Sequence, residues 1–161
     1  MTAKKQKRRI AFVGSECYPF IKTGGLGDVM YALPRALKRE GCEVRVILPY
    51  YACIPQKFKD KVEWKGSFMM DLCQGGQSYF VGIMETEIDG VIYDLIDNRE
   101  FFDWGNPYTG LWEDIPKYCY FSNHWTNRNS MSTGTMPRQC SCSTAVQGWA
   151  RRCPSKWISS T

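Results

Sequence analysis

The hydrophobic pattern changes period as the chain is followed from its amino terminus. Ile10-Ala11-Phe12-Val13-Gly14 is short, β-branched and aromatic, which predicts a buried strand. From Asp28 to Glu40 the spacing becomes helical: Val29, Leu33, Ala36 and Leu37 fall on one face, with Asp28 as the predicted N-cap and Gly41 just past the end. Glu43 to Pro49 then predicts a second strand, joined through a Gly41-Cys42 turn. Strand, helix and strand in this order make a βαβ unit, whose connection is right-handed. Pro34 lies beyond the first helical turn and removes a backbone hydrogen bond, so a bend is expected there.

Tyr50 to Lys61 mixes aromatic and basic residues around Pro55 and predicts a connecting loop or short helix. From Val62 the period is two, which puts Val62, Trp64, Phe68, Met70 and Leu72 on one face of a half-buried antiparallel strand, interrupted by Gly66. Gly75-Gly76 predicts a turn, Tyr79 to Ile88 a second extended run, and Asp89-Gly90 a hairpin before Val91 to Ile96. This group is an antiparallel meander grafted onto the parallel unit, with Val91 to Ile96 returning to the main sheet. Asn98 to Pro116 is long, polar and aromatic, as functional loops are. Its Trp104, Tyr108 and Trp112 carry rings suited to stacking on sugars, and equally suited to folding back onto the core. Ile115 to Asn123 starts a helix, after which neither period continues.

At 161 residues, 43% hydrophobic and 14% aromatic, the chain has the material for a globular core. The basic leader, residues 1–9, precedes an apolar run too short for a signal peptide, and no stretch reaches membrane-spanning length. A cytoplasmic protein without a membrane partner is therefore expected. The net charge of +5 comes wholly from Arg128, Arg138, Arg151, Arg152 and Lys156, since acids and bases balance through residue 123. That distribution argues against a nucleic-acid partner. Cys17, Cys42, Cys53, Cys73 and Cys119 lie among apolar neighbours, as reduced core cysteines do. Cys140 and Cys142 form only C-x-C, and His124 has no ligand at zinc-site spacing, so neither a metal nor a cofactor is expected.

Between the first strand and its helix stands Lys22-Thr23-Gly24-Gly25-Leu26-Gly27-Asp28-Val29. Glycines there let a ligand approach the backbone, and a helix N-terminus attracts phosphate. The string matches neither G-x-G-x-x-G nor the Walker pattern, so the residues alone leave open a phosphate site and a structural turn with a solvated lysine. With Ser15-Glu16-Cys17-Tyr18-Pro19-Phe20 before it and Leu33-Pro34-Arg35-Ala36-Leu37 after it, however, it resembles the start of bacterial glycogen synthases and plant starch synthases, whose opening motif is K-[TV]-G-G-L-[GA]-D-V.

The resemblance covers residues 8–123. It implies an α/β fold with a Rossmann-like parallel core and an antiparallel β meander, as a partial amino-terminal domain of a two-domain (GT-B type) glycosyltransferase. It implies transfer of glucose from ADP-glucose to the non-reducing end of an α-1,4-glucan, glycogen or starch, with retention. By it Lys22 contacts the donor phosphate, the Gly24-Gly25 backbone admits the diphosphate and glucose, and Asp28 helps order the loop and is the candidate for a catalytic role. It also places the aromatic loop near the active-site side, making Trp104, Tyr108 and Trp112 candidate glucan contacts. The alternative is a non-catalytic module that binds a nucleotide or glucan. His124-Trp125 is not carried onto the family's histidine motif, because the strand and aspartate around that motif are missing here. Residues 124–161 are expected to lie outside the family, as a frameshifted or disordered tail. The chain alone is expected to be inactive.

Overall fold

The computed structural model describes residues 8–71 and 78–133. Three parallel strands form the heart of a five-stranded sheet: β1 (Arg9–Val13), β2 (Glu43–Pro49) and β5 (Val91–Asp97). β3 (Glu63–Asp71) and β4 (Ser78–Ile88) extend it antiparallel, giving the order β1-β2-β5-β4-β3. The meander thus returns through β5 to the main sheet, as the pattern predicts. Helix α1 (Gly25–Arg39) connects β1 to β2, α2 (Gln56–Lys59) follows β2, and α3 (Arg99–Phe102) and α4 (Leu111–Thr133) follow β5. Two of the four strand pairings are parallel and two antiparallel, and within the parallel part β2 buries Val44, Val46, Ile47 and Leu48, with Arg45 alone interrupting them.

The ends of α1 explain its length. It begins at Gly25 with Gly24 as N-cap, so Asp28 is not the cap; it lies in the first turn, where a carboxylate favours the helix dipole. At the other end Gly41 takes φ +83°, its N–H donates to the Lys38 carbonyl, and Cys42 N–H donates to the Leu37 carbonyl. This pair of bonds is the Schellman closure, and the left-handed residue it needs is the predicted glycine.

The buried face of α1 is not the predicted one. Met30, Pro34 and Arg35 are buried and Leu37 is half-buried, whereas Val29, Leu33 and Ala36 are exposed. Met30 presses on Gly14, where an added Cβ would lie 2.7 Å from the methionine Cε. Arg35 anchors the other flank: Nε donates to Asp89 at 3.0 Å, Nη1 donates to Tyr93 Oη and to the Tyr31 carbonyl, and the guanidinium lies 3.5 Å from the Tyr31 ring centroid. These contacts turn the helix toward β5 and leave its second apolar stripe outside. The helix runs through Pro34 from Gly25 to Arg39.

β3 departs from expectation for a different reason. Its register against β4 shifts between Trp64 and Gly66, where Gly66 takes φ +143°. A bulge of this kind inserts one residue and exchanges the faces of the strand on either side. Phe68 and Met70 stay opposite Val81 and Tyr79, but Trp64 pairs with Met84 and joins the other face. The Asp89-Gly90 hairpin has φ +52° and +75°, the twist that a tight hairpin favours. The Gly75-Gly76 turn, Leu72 and Cys73 lie outside the described residues, as do residues 1–7 of the leader and residues 134–161 of the tail.

The aromatic segment is shorter than predicted because Asn98 caps α3, its side chain accepting from Glu100 N–H at 2.8 Å. Helix α4 then starts at Leu111, before Pro116, and continues to Thr133. Tyr79, Phe101, Phe102, Tyr120 and Phe121 join in a ring cluster that seats it on the sheet. One charge cluster crosses the sheet: Arg45 Nη1 bonds both carboxylate oxygens of buried Asp94, at 2.8 and 3.0 Å, and Glu85 at 3.1 Å. Cys17 and Cys42 are buried as expected, but Cys53 is exposed in the turn after β2.

Candidate nucleotide-sugar site

The loop from Gly14 to Gly24 leaves the carboxyl end of β1 and feeds the first turn of α1. Its backbone is tied by Phe20 and Ile21 N–H groups to the Cys17 carbonyl and by Tyr18 N–H to the Gly27 carbonyl; the Tyr18–Pro19 peptide is cis. At its centre is Glu16, only 2% exposed. One of its oxygens accepts from Thr23 N–H at 2.6 Å and from Thr23 Oγ1 at 2.5 Å, and the other accepts from Gly27 N–H at 3.1 Å. Burial alone would raise this carboxyl, but the hydrogen bonds from the Thr23 side chain and from the backbone of Thr23, Gly27 and Gly24 hold it below the usual carboxylate range. A buried anion thus shapes the glycine loop from beneath.

Lys22, Gly24, Gly25 and Asp28 come together at the N-terminus of α1. Lys22 Nζ lies 2.7 Å from Asp28 Oδ2, both side chains being exposed. An added Cβ at Gly25 would meet nothing within 4 Å, so the backbone there is open to a ligand. Gly27 works differently. A Cβ there would lie 3.1 Å from Lys22 Cγ and 3.3 Å from its Cβ, so this glycine gives the lysine stem its seat. The opening N–H groups of any helix lack intrahelical partners, and here Glu16 takes the one at Gly27. What remains at Gly25 and Leu26 is a patch of partial positive charge beside a lysine.

The three aromatic candidates do not converge. Tyr108 Oη is 2.5 Å from Ser15 Oγ, which joins the segment before α4 to the glycine loop. Trp104 lines a separate hollow of about 760 Å³ with Tyr79, Glu100, Phe101, Thr109 and Lys117, its Nε1–H donating to the Glu100 carbonyl. Trp112 projects from the first turn of α4 and lines neither place. Tyr118 supports Tyr108 from behind, donating to the Pro107 carbonyl at 2.8 Å and meeting Tyr51 Oη at 3.2 Å. Cys17, within the loop, is buried, and burial pushes its thiol up to about 12, away from the thiolate form.

Pattern reading missed Glu16 and Gly27. Glu16 bonds residues seven and eleven positions away across an irregular loop, which no periodicity reports. A buried acid between a strand and a glycine run is the signal that could have found it.

Similarity to known proteins bears on this arrangement. The starch synthase catalytic domain family matches residues 9–128. A glycogen synthase of Clostridium novyi is 45% identical over 113 residues, which are 70% of this chain and 23% of that protein. A glycogen synthase of Clostridioides difficile is 41% identical over 118 residues, 71% of this chain and 24% of that protein. Among solved structures, the catalytic domain of starch synthase IV from Arabidopsis thaliana bound to ADP and acarbose superposes with a TM-score of 0.61 at 28% identity, covering 81% of this chain and 27% of that one. The chain spans about a quarter of the length of the relatives it matches.

Proposed function

The chain belongs to the starch synthase catalytic domain family, and on that footing we propose that the α1 terminus is the ADP-glucose half-site of an α-1,4-glucan glucosyltransferase. The observation that carries this reading is the open Gly25 backbone at the start of a fifteen-residue helix, with Lys22 beside it and Glu16 holding the loop in place. An anion seated there meets unpaired N–H groups and the positive end of the helix dipole. Lys22 then exchanges Asp28 for the diphosphate, an exchange made easy because an exposed pair of this kind is worth at most about 1 kcal/mol. Asp28, released, is placed to accept from a sugar hydroxyl.

In glucosyl transfer through an oxocarbenium-like transition state, charge builds on the departing ADP. Lys22 and the helix terminus oppose that charge, which is where this segment contributes to rate. The acceptor glucan comes to the aromatic side, along Tyr108 and the Trp104 hollow. Titration of the chain with ADP tests the reading. Lys22→Ala should weaken ADP by at least tenfold, about 1.4 kcal/mol, without changing the melting temperature. Unchanged affinity in the folded variant would remove Lys22 from the site. Transfer itself needs groups from both sides of a closed donor site, so labelled glucose should enter glycogen only when residues 9–128 replace their counterpart in a full-length relative.

A further inference from the structure

On the face of β3 and β4 opposite Phe68 and Val81, the bulge at Gly66 leaves an aromatic platform that the donor site does not use. Trp64 is 52% exposed and Phe80 43%, yet they are not loose: their planes lie within 11° of each other, with centroids 6.2 Å apart. Gly82 is the floor between them. A Cβ on it would sit 3.0 Å from Trp64 Cζ3, 3.2 Å from Phe80 Cε1 and 3.0 Å from Asp97 Cβ. Any side chain at this position would press on the indole, on Phe80 and on Asp97. The strand beneath is pinned, since the Phe80 carbonyl accepts from Asn98 Nδ2 and from Tyr120 Oη, each at 2.7 Å. Met69, 59% exposed and paired with Phe80, widens the apolar surface.

We propose that Trp64 and Phe80, with Asp97 at their side, form a second glucan-binding site, distinct from the donor half-site and from the Trp104 hollow. The occupant follows from the chemistry of the surface. Trp64 and Phe80 are a stacked, half-exposed pair, and exposed aromatic ring surface carries the negative charge that attracts the weakly positive C–H groups on the face of a glucose ring. The carboxylate beside them repels anions and accepts hydrogen bonds from hydroxyls, so the ligand is neutral and hydroxyl-rich. The site also lies toward the same end of the sheet as the glycine loop: Gly82 pairs with Asp97 near the carboxyl end of β5, which runs parallel to β1. β4 is three strands from β1, about 14 Å at ordinary strand spacing. A glucan held here is kept close to the donor half-site without filling it.

The inference rests on the glucan reading of the family only for the identity of the sugar. Affinity electrophoresis of the full chain through gels containing glycogen tests it, with calorimetric ADP titration of the same preparation. Trp64→Ala and Phe80→Ala should each weaken retardation by glycogen at least fivefold, Trp64→Phe should keep most of it, and all three should bind ADP as the unaltered chain does. Retardation equal to the unaltered chain in folded Trp64→Ala and Phe80→Ala would overturn the proposal, leaving the indole as a cover for Gly82 alone. If Trp64→Ala does not fold, Phe80→Ala and Trp64→Phe decide. An unaltered chain that binds ADP but is not retarded by glycogen sinks this site and spares the donor site. One that is retarded through Trp64 but does not bind ADP does the reverse.

Discussion

Replacing Glu16 by glutamine removes a charge from the centre of the glycine loop while keeping its shape. The carboxylate accepts from the Thr23 N–H and hydroxyl on one oxygen and from Gly27 N–H on the other. An amide offers one oxygen and one NH2, so whichever way it turns, a donor faces a donor. If the oxygen stays with Thr23, the Gly27 bond is lost and the first turn of α1 loses its tie to the loop. A hydrogen bond to a charged group is worth about 1.5–3 kcal/mol, and the surviving pair loses its charge assistance, so the variant should be destabilised by about 2–3 kcal/mol. For a chain of this size 1 kcal/mol moves the melting temperature by about 2–4 °C. Circular dichroism should therefore show melting about 4–12 °C lower, and ADP affinity should fall with it because the Gly25 backbone is no longer held. Thr23→Val alone should have a smaller effect, and the double variant should lose less than the sum, since both act on one network. A Glu16→Gln protein that melts with the unaltered chain and binds ADP equally well would refute the view that this carboxylate builds the loop.

Three further outcomes follow from the same geometry. Because Glu16 is held below its ordinary value of 4.5, its contribution is complete above that pH and is lost as pH falls through the folded value; acid unfolding of Glu16→Gln should accordingly be flatter below about pH 4.5 than that of the unaltered chain. Gly27→Ala should split stability from binding: alanine favours the helix by up to about 1 kcal/mol, yet its Cβ displaces the Lys22 stem, so melting should hold or rise while ADP affinity drops. Asp94→Ala should lower stability by about 3 kcal/mol, read by urea unfolding, because Arg45 loses the two shortest bonds of the cluster; Glu85→Ala, removing the longer one, should cost less.

How far the sequence carried this reading depended on whether a residue's partners were local. The strands of the parallel unit are legible because β-branched runs buried on both faces can hardly be anything else, and Asp89-Gly90 and Gly41 are legible because their backbone angles demand such residues. Helix α1 misleads because it has two apolar stripes. The choice between Val29/Leu33 and Met30/Pro34 is made by Gly14 and by an arginine buried against Tyr93, contacts no periodicity contains. Trp64 misleads for a related reason: a single inserted residue at Gly66 exchanges the faces, and an alternating pattern cannot report its own interruption. At the candidate site, Lys22, Gly24, Gly25 and Asp28 stand out in the motif, while Glu16, whose bonds all close within the loop and the first turn of α1, does not.

The hydroxyl contact between Ser15 and Tyr108 joins residues 93 positions apart. Glu16, by contrast, closes its bonds within eleven. Short loops close at little entropic cost and long ones need the intervening chain folded first. The two flanks of the candidate site therefore belong to different moments in the life of the chain. During synthesis the glycine loop can close while β3 is still unmade, whereas the Tyr108 flank must wait until the polypeptide has passed β5 and reached the segment before α4. A newly made chain would complete the Glu16 side of the candidate site before the Tyr108 side.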